Sequence, residues 1–211
     1  LLKQYREQGY WKNETLLDCW ERAAAQYPDR EYVVDDRGYR YTYRELDEAA
    51  GRVASYLMEL GIRPGEVVSY QFPIWSEFAM LTIACYKVGA VAHPIAMSYE
   101  EKELARSLNV TESRCYFGPT YFYKTDYEER ILAVRDQTPL LKDIVLIDSV
   151  KPAKSSVRLL REILASYEPL PKEQCVHTKN GQDIAVILCT SGTTGGTKGV
   201  LLSHDNVRFA E

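Results

Sequence analysis

One ten-residue stretch concentrates the groups that could do chemistry. In Thr190-Ser191-Gly192-Thr193-Thr194-Gly195-Gly196-Thr197-Lys198-Gly199, four glycines and five hydroxyl residues surround a single lysine. Glycine reaches positive φ without a Cβ clash, so successive backbone amides can turn toward one point and form an anion nest. The hydroxyls add donors, and Lys198 adds a mobile positive charge able to neutralise a polyphosphate. Binding of nucleotide phosphates is the chemistry this composition suits.

Two other readings compete. A plain turn between Val186-Ile187 and Val200-Leu201-Leu202 explains the glycines but not the hydroxyls gathered around one lysine. A Walker loop requires G-x-x-x-x-G-K-[ST]. Counted from Gly192, its second glycine falls on Thr197 and its magnesium-binding hydroxyl on Gly199, so the pattern fails twice.

Positioning such a loop requires a scaffold, and the chain has the pattern of one. The continuous apolar run Ile184-Ala185-Val186-Ile187-Leu188 suits a buried strand leading into the loop. Upstream, Leu16, Leu17, Trp20, Ala23, Ala24 and Tyr27 share one helical stripe that Pro28 ends. Residues 32–34 and 39–41 flank the turn cluster Asp35-Asp36-Arg37-Gly38, which predicts a hairpin. Thr42 and Glu45 form a capping-box pair opening a helix to about residue 60, with Gly61 at its end.

The chain then alternates. Strands are expected at 67–70, 90–95, 115–117 and 144–147. Helices are expected at 75–88, from a second capping box at Ser98-Tyr99-Glu100-Glu101 to about 108, and at 127–135. Short apolar strands alternating with helices predict an α/β fold, a mostly parallel sheet with helices on both faces. Residues 152–180 are the least regular, with a helix expected at 157–165, and read as a connector over the surface.

Composition excludes some functions. The 211 residues are 45% hydrophobic, enough for a core. Twenty-six basic against 30 acidic residues leave a net charge of −4, without the basic excess that nucleic-acid binders use. Cys19, Cys85, Cys115, Cys175 and Cys189 are odd in number, scattered and without a CxxC pair, and read as reduced structural cysteines; no metal site is predicted. The longest apolar stretch, near residues 78–86, is far shorter than a membrane span, and the leader lacks a signal-peptide core, so a cytoplasmic location is expected.

Other polar residues carry weaker signals. His93, beside Pro94 at a strand end, could face a ligand, but a satisfied structural histidine is the favoured reading. His204 suits capping or packing, and His177 in the connector is uninformative. Trp75, Tyr116, Tyr121 and Tyr123 read as core or interface aromatics, and Asp126, Glu128 and Glu129 as helix-start charges.

Three segments together carry a family resemblance. Thr190-Ser191-Gly192-Thr193-Thr194-Gly195-x-x-Lys198-Gly199-Val200, ending in Ser203-His204, resembles the phosphate loop of the adenylate-forming superfamily, which includes acyl-CoA synthetases, aryl-acid adenylating enzymes and luciferases. Tyr41-Thr42-Tyr43-Arg44-Glu45-Leu46 and Tyr86-Lys87-Val88-Gly89-Ala90-Val91-Ala92-His93-Pro94 resemble two earlier family motifs. Thr197 departs from the pattern, which has proline before the loop lysine. With Gly196 before it, the free loop should be more mobile.

The resemblance implies an ATP-dependent carboxylic acid ligase that forms an acyl-adenylate and then an acyl-CoA. Thr190, Ser191, Gly192, Thr193, Thr194, Gly195 and Lys198 would hold the β and γ phosphates of ATP, with Mg2+ and CoA as further cofactors. An aryl-acid adenylating enzyme that loads a carrier-protein thiol is one alternative, and a noncatalytic binding or scaffold module of the same fold is another. The expected partners are a carboxylic acid, ATP, and the thiol of CoA or a carrier protein, without nucleic acid. Residues 1–211 read as part of an N-terminal AMP-binding domain. Within it, 1–65 form a helix-hairpin-helix lead-in, 66–150 an alternating β-α core, 151–182 the connector, and 183–211 the loop strands and the start of a helix. The family's remaining site residues would lie beyond Glu211, so this segment is expected to be inactive alone.

Overall fold

Thr15 opens the first core helix. Its hydroxyl accepts from the Asp18 amide while Asp18 reaches back to the Thr15 backbone, a reciprocal cap that satisfies two otherwise free donors. Thr42 and Glu45 make the same arrangement at the third helix, as their spacing predicts. The computed structural model describes residues 2–148, 150–178, 180–191 and 197–209.

In chain order the helices are α1 (Leu2–Glu7), α2 (Leu16–Gln26), α3 (Tyr43–Glu59), α4 (Ser76–Lys87), α5 (Glu101–Val110), α6 (Tyr127–Ala133), α7 (Leu160–Ser166) and α8 (His204–Phe209). The strands are β1 (Glu31–Val34), β2 (Arg40–Thr42), β3 (Val67–Tyr70), β4 (Val91–Pro94), β5 (Cys115–Pro119), β6 (Tyr121–Phe122), β7 (Thr125–Asp126), β8 (Asp143–Ile147), β9 (Arg158–Leu159), β10 (Ile184–Ser191) and β11 (Thr197–Ser203). A seven-stranded sheet runs β11-β10-β4-β3-β5-β8-β9. Every neighbouring pair in it is parallel except the β10–β11 hairpin at the edge.

Strand alternation divides the core between two faces. Val68, Tyr70, Ala92, Cys115, Phe117 and Val145 pack beneath α2, α3, α4 and α7. Tyr116, Ile144 and Leu146, pointing the other way, meet Leu104 and Leu108 of α5 and Ile131 of α6. Gly89 closes α4 at φ 68°, and a Cβ there would lie 2.9 Å from Val176 Cγ1, so the position needs glycine for both its conformation and its space.

Several local expectations are corrected. Helix α5 starts at Glu101 with Glu100 at the N-cap position and no side-chain cap, because Ser98 lies two residues too early for the box. The helix expected at 157–165 is split: Arg158 and Leu159 pair in parallel with β8, and α7 begins only at Leu160. The connector is therefore part of the sheet and core, with Leu160 and Ile163 buried against α3. The β6–β7 hairpin was not predicted; Tyr123 and Lys124 take positive φ at its tip, leaving Tyr123 exposed rather than in the core.

Asp35 does more than turn the first hairpin. Its carboxylate accepts from the Ser76 amide at the start of α4, where Trp75 provides no cap, and from Arg37 at 2.6 Å. Arg37 also pairs with Glu77 and stacks 3.9 Å over Trp75. Burial opposes ionisation of Asp35, but the bonds from Arg37 and Ser76 outweigh it and hold the carboxyl below its usual range. At the other end of α4, buried Lys87 pairs with Asp47 at 2.8 Å, and Trp20 Nε1 donates to the same oxygen at 2.6 Å.

Because Ile163 is fully buried, Ile163→Ala is expected to destabilise the protein by about 2–5 kcal/mol. Exposed Arg161→Ala is expected to change stability by roughly 0.5 kcal/mol or less. Chemical denaturation of both variants checks that the connector is structural.

Candidate phosphate-binding site

The loop follows the strand that the apolar run at 184–188 predicts. β10 and β11 pair antiparallel, with Thr190 opposite Lys198 and Ser191 opposite Thr197. β10 joins the parallel sheet through Val186 opposite Ala92 of β4. At about 3.3 Å per residue, Thr190 stands roughly 13 Å further along the strand direction than Val186. β4 ends at Pro94, two positions past Ala92, and β3 at Tyr70, so the Thr190 end of β10 reaches past the carboxyl ends of these two neighbouring strands. That is the end at which open α/β sheets bind ligands.

Of the predicted phosphate residues, Thr190 and Ser191 are the last two residues of β10, and Lys198 is the second of β11. Gly192, Thr193, Thr194 and Gly195 lie outside the described residues. The Lys198 side chain is exposed, and no ion pair joins it to another described residue. A cation in that setting is available to an incoming anion. Thr197, where the family pattern has proline, is the first residue of β11 and pairs with Ser191.

His93 lies at the seam between β4 and this hairpin. It is fully buried, with Nδ1 2.7 Å from Ser69 Oγ of β3 and Nε2 3.2 Å from Ser107 Oγ of α5. Nε2 is also 3.3 Å from Cys189 Sγ, next to Thr190, and Thr111 Oγ1 is 3.4 Å from Nδ1. Ser113 extends the network to Ser69 at 2.6 Å. A neutral imidazole needs one donor and one acceptor partner, and hydroxyls and thiols can act as either. Burial pushes the His93 pKa down to about 4, so the ring is neutral at physiological pH. Its hydrogen-bond partners tie β10, through Cys189, to β3 and α5.

The remaining candidates have structural places. His204 Nδ1 accepts from Leu16 N at 3.1 Å, capping α2 as well as packing on Tyr86. Asp126 caps α6 through Glu129 N, while Glu128 is buried and accepts from the amides of Lys154 and Ser155, tying α6 to the connector. Glu128 is therefore more than a helix-start charge. Trp75 and Tyr116 are core residues, as expected, whereas Tyr121 is only half-buried. Sequence reasoning missed Cys189 and the serine set around His93, because their contacts bring together four separate elements with no local spacing to reveal them.

Comparison with known proteins places this arrangement. Residues 20–210 match the family described as AMP-binding enzyme. The chain is 39% identical over 207 residues to the medium-chain fatty-acid–CoA ligase of Escherichia coli, covering 98% of this chain and 36% of that protein. It is 27% identical over 210 residues to the 2,3-dihydroxybenzoate-AMP ligase of Bacillus subtilis, covering 100% of this chain and 37% of the relative. Among solved structures, the apo structure of Mycobacterium smegmatis MbtA superposes with a TM-score of 0.81 at 26% identity, over 97% of this chain and 36% of that one. The chain thus spans little more than a third of the length of these relatives. Among the described residues, no helix is long and apolar enough to cross a membrane.

His93 gives the fold a pH dependence of known sign. With a folded pKa of about 4 and an unfolded value of about 6.5, the unfolded chain binds more protons between these limits. Stability from this group is complete above about pH 6.5 and falls as pH drops toward 4, by on the order of 3 kcal/mol. Denaturation of the wild type against His93→Gln across pH 4–7 is expected to show a smaller slope in the variant. Burial lowers the His204 pKa too, adding a contribution of the same sign to both proteins.

Proposed function

The chain belongs to the AMP-binding enzyme family, and from that premise we propose that it carries the polyphosphate-binding part of an ATP-dependent carboxylic acid ligase. The observation that carries this reading is the β10–β11 hairpin, which offers the exposed cation Lys198, without an ion pair among the described residues, past the carboxyl ends of β3 and β4.

In the proposed reaction, a carboxylate oxygen attacks the α-phosphorus of MgATP. The acyl-oxygen-to-phosphorus bond forms, the bond from the α-phosphorus to the bridging oxygen breaks, and pyrophosphate leaves with that electron pair. Negative charge builds on the leaving group, so a positioned cation and converging donors lower the barrier by meeting it where it develops. Lys198 supplies the cation, and Thr190, Ser191, Gly192, Thr193, Thr194 and Gly195 supply amides and hydroxyls toward the β and γ phosphates. Mg2+ arrives with the nucleotide. A thiol then attacks the acyl carbon and displaces AMP.

CoA is the proposed acceptor and a medium-chain aliphatic acid the proposed substrate. Higher identity to the medium-chain fatty-acid–CoA ligase than to the aryl-acid AMP ligase supports both choices. Carrier-protein loading of an aryl acid is the second reading, supported by the lower-identity relative.

Carboxylate-dependent exchange of pyrophosphate into ATP by the full-length protein tests this function. Lys198→Ala is expected to slow exchange about 10²–10³-fold. Because the side chain is exposed, folding stability should change by roughly 0.5 kcal/mol or less. Undiminished exchange would remove Lys198 from the mechanism. The 211-residue segment alone is expected to give no exchange, and measurable exchange by it would overturn that part of the reading.

A further inference from the structure

Far from the loop, donor groups from opposite ends of the sequence converge. Glu21 lies within α2, and its Oε1 is shielded from water with no hydrogen-bond partner among the described residues. The His177 ring stands beside it, with Nε2 at 3.8 Å. Buried Cys175 is the third member, and among the described residues the three donor atoms all fall within 4.8 Å of one another. His177 Nε2 also faces the Lys172 carbonyl oxygen at 3.2 Å, and that oxygen accepts from Cys175 N at 3.1 Å. A carboxylate, a thiol, an imidazole and a carbonyl thus gather around one point. Leaving a carboxylate oxygen dry and unpaired is costly unless a cation meets it.

We propose that Glu21, Cys175 and His177 form a binding site for Zn2+. One sulfur, one imidazole nitrogen and one carboxylate oxygen make a borderline donor set of the kind zinc accepts. Zinc bonds of about 2.0–2.3 Å in a tetrahedron put ligand atoms roughly 3.3–3.6 Å apart, so the side chains must close by about 1 Å or a little more. Glu21 can do so by rotamer adjustment on its helix, and Cys175 and His177 sit in a segment outside helix and strand. The His177 side chain is 39% exposed, which leaves an entry path and a fourth position for water. On binding, the Cys175 thiol releases its proton to solvent and the thiolate takes up the metal.

The site would act as a clamp. Val176, between the two downstream ligands, donates its amide to Lys87 O at 2.8 Å and packs against Gly89. Metal binding would therefore fasten α2 to the segment that feeds β10, while the phosphate loop lies at the other end of that strand. Cysteine spacing gave no hint of this, because the carboxylate comes from the far end of the chain. A plain ion pair between Glu21 and a protonated His177 is the competing account.

Cobalt titration of the chelator-stripped full-length protein separates the two. One equivalent of Co2+ is expected to produce a near-ultraviolet thiolate-to-cobalt charge-transfer band with the visible bands of a tetrahedral site, both abolished by added Zn2+. Cys175→Ser should eliminate the charge-transfer band. His177→Gln, at an exposed position that should not disturb folding, should weaken Co2+ binding at least about tenfold. Absence of stoichiometric binding, a charge-transfer band that survives Cys175→Ser, or unchanged affinity in His177→Gln would each overturn the zinc site in favour of the ion pair.

Discussion

The hairpin bearing Lys198 meets the parallel sheet along a short seam, where Val186 pairs with Ala92 and His93 lies fully buried beside Cys189. Strand pairing alone provides little length there. The imidazole adds contacts to β3, α5 and β10 together, through Ser69, Ser107 and Cys189. Because burial keeps the ring neutral, these contacts work as a satisfied polar network and need no counter-charge. The placement of the β10–β11 hairpin, with Lys198 on it, depends on this join.

Charged anchors fix the rest of the scaffold around it. Asp35 and Arg37 seat the first hairpin on the start of α4, and Asp47 with Lys87 holds α3 to its end. The pair of α4 and β4 carries both this anchoring and the segment that ends in His93. The proposed phosphate residues Thr190, Ser191 and Lys198 thus stand on strands held by this scaffold.

Much of this was legible in the sequence, for physical reasons that differ by element. The capping pairs Thr42–Glu45 and the glycine stops at 61 and 89 depend on neighbouring residues and were read correctly. The β-α alternation with apolar strands gave the parallel sheet and its two helical layers. The composition of residues 190–199 suggested phosphate binding, and its resemblance to a family motif suggested the family that the comparison then matched. What escaped depends on distant contacts: Arg158 and Leu159 form a strand only because β8 offers an open edge, and Ser98 resembles a cap without standing at the helix start. The His93 network was invisible for the same reason, its partners being ordinary serines and one cysteine on separate elements.

Hydrogen–deuterium exchange on the full-length protein, with and without MgATP and a nonreactive carboxylate analogue, tests the central claim most directly. Amides across residues 190–199 should become protected on nucleotide binding, while those of 172–178 stay unchanged. Protection that leaves 190–199 untouched and appears elsewhere would contradict the assignment of this hairpin as the polyphosphate site.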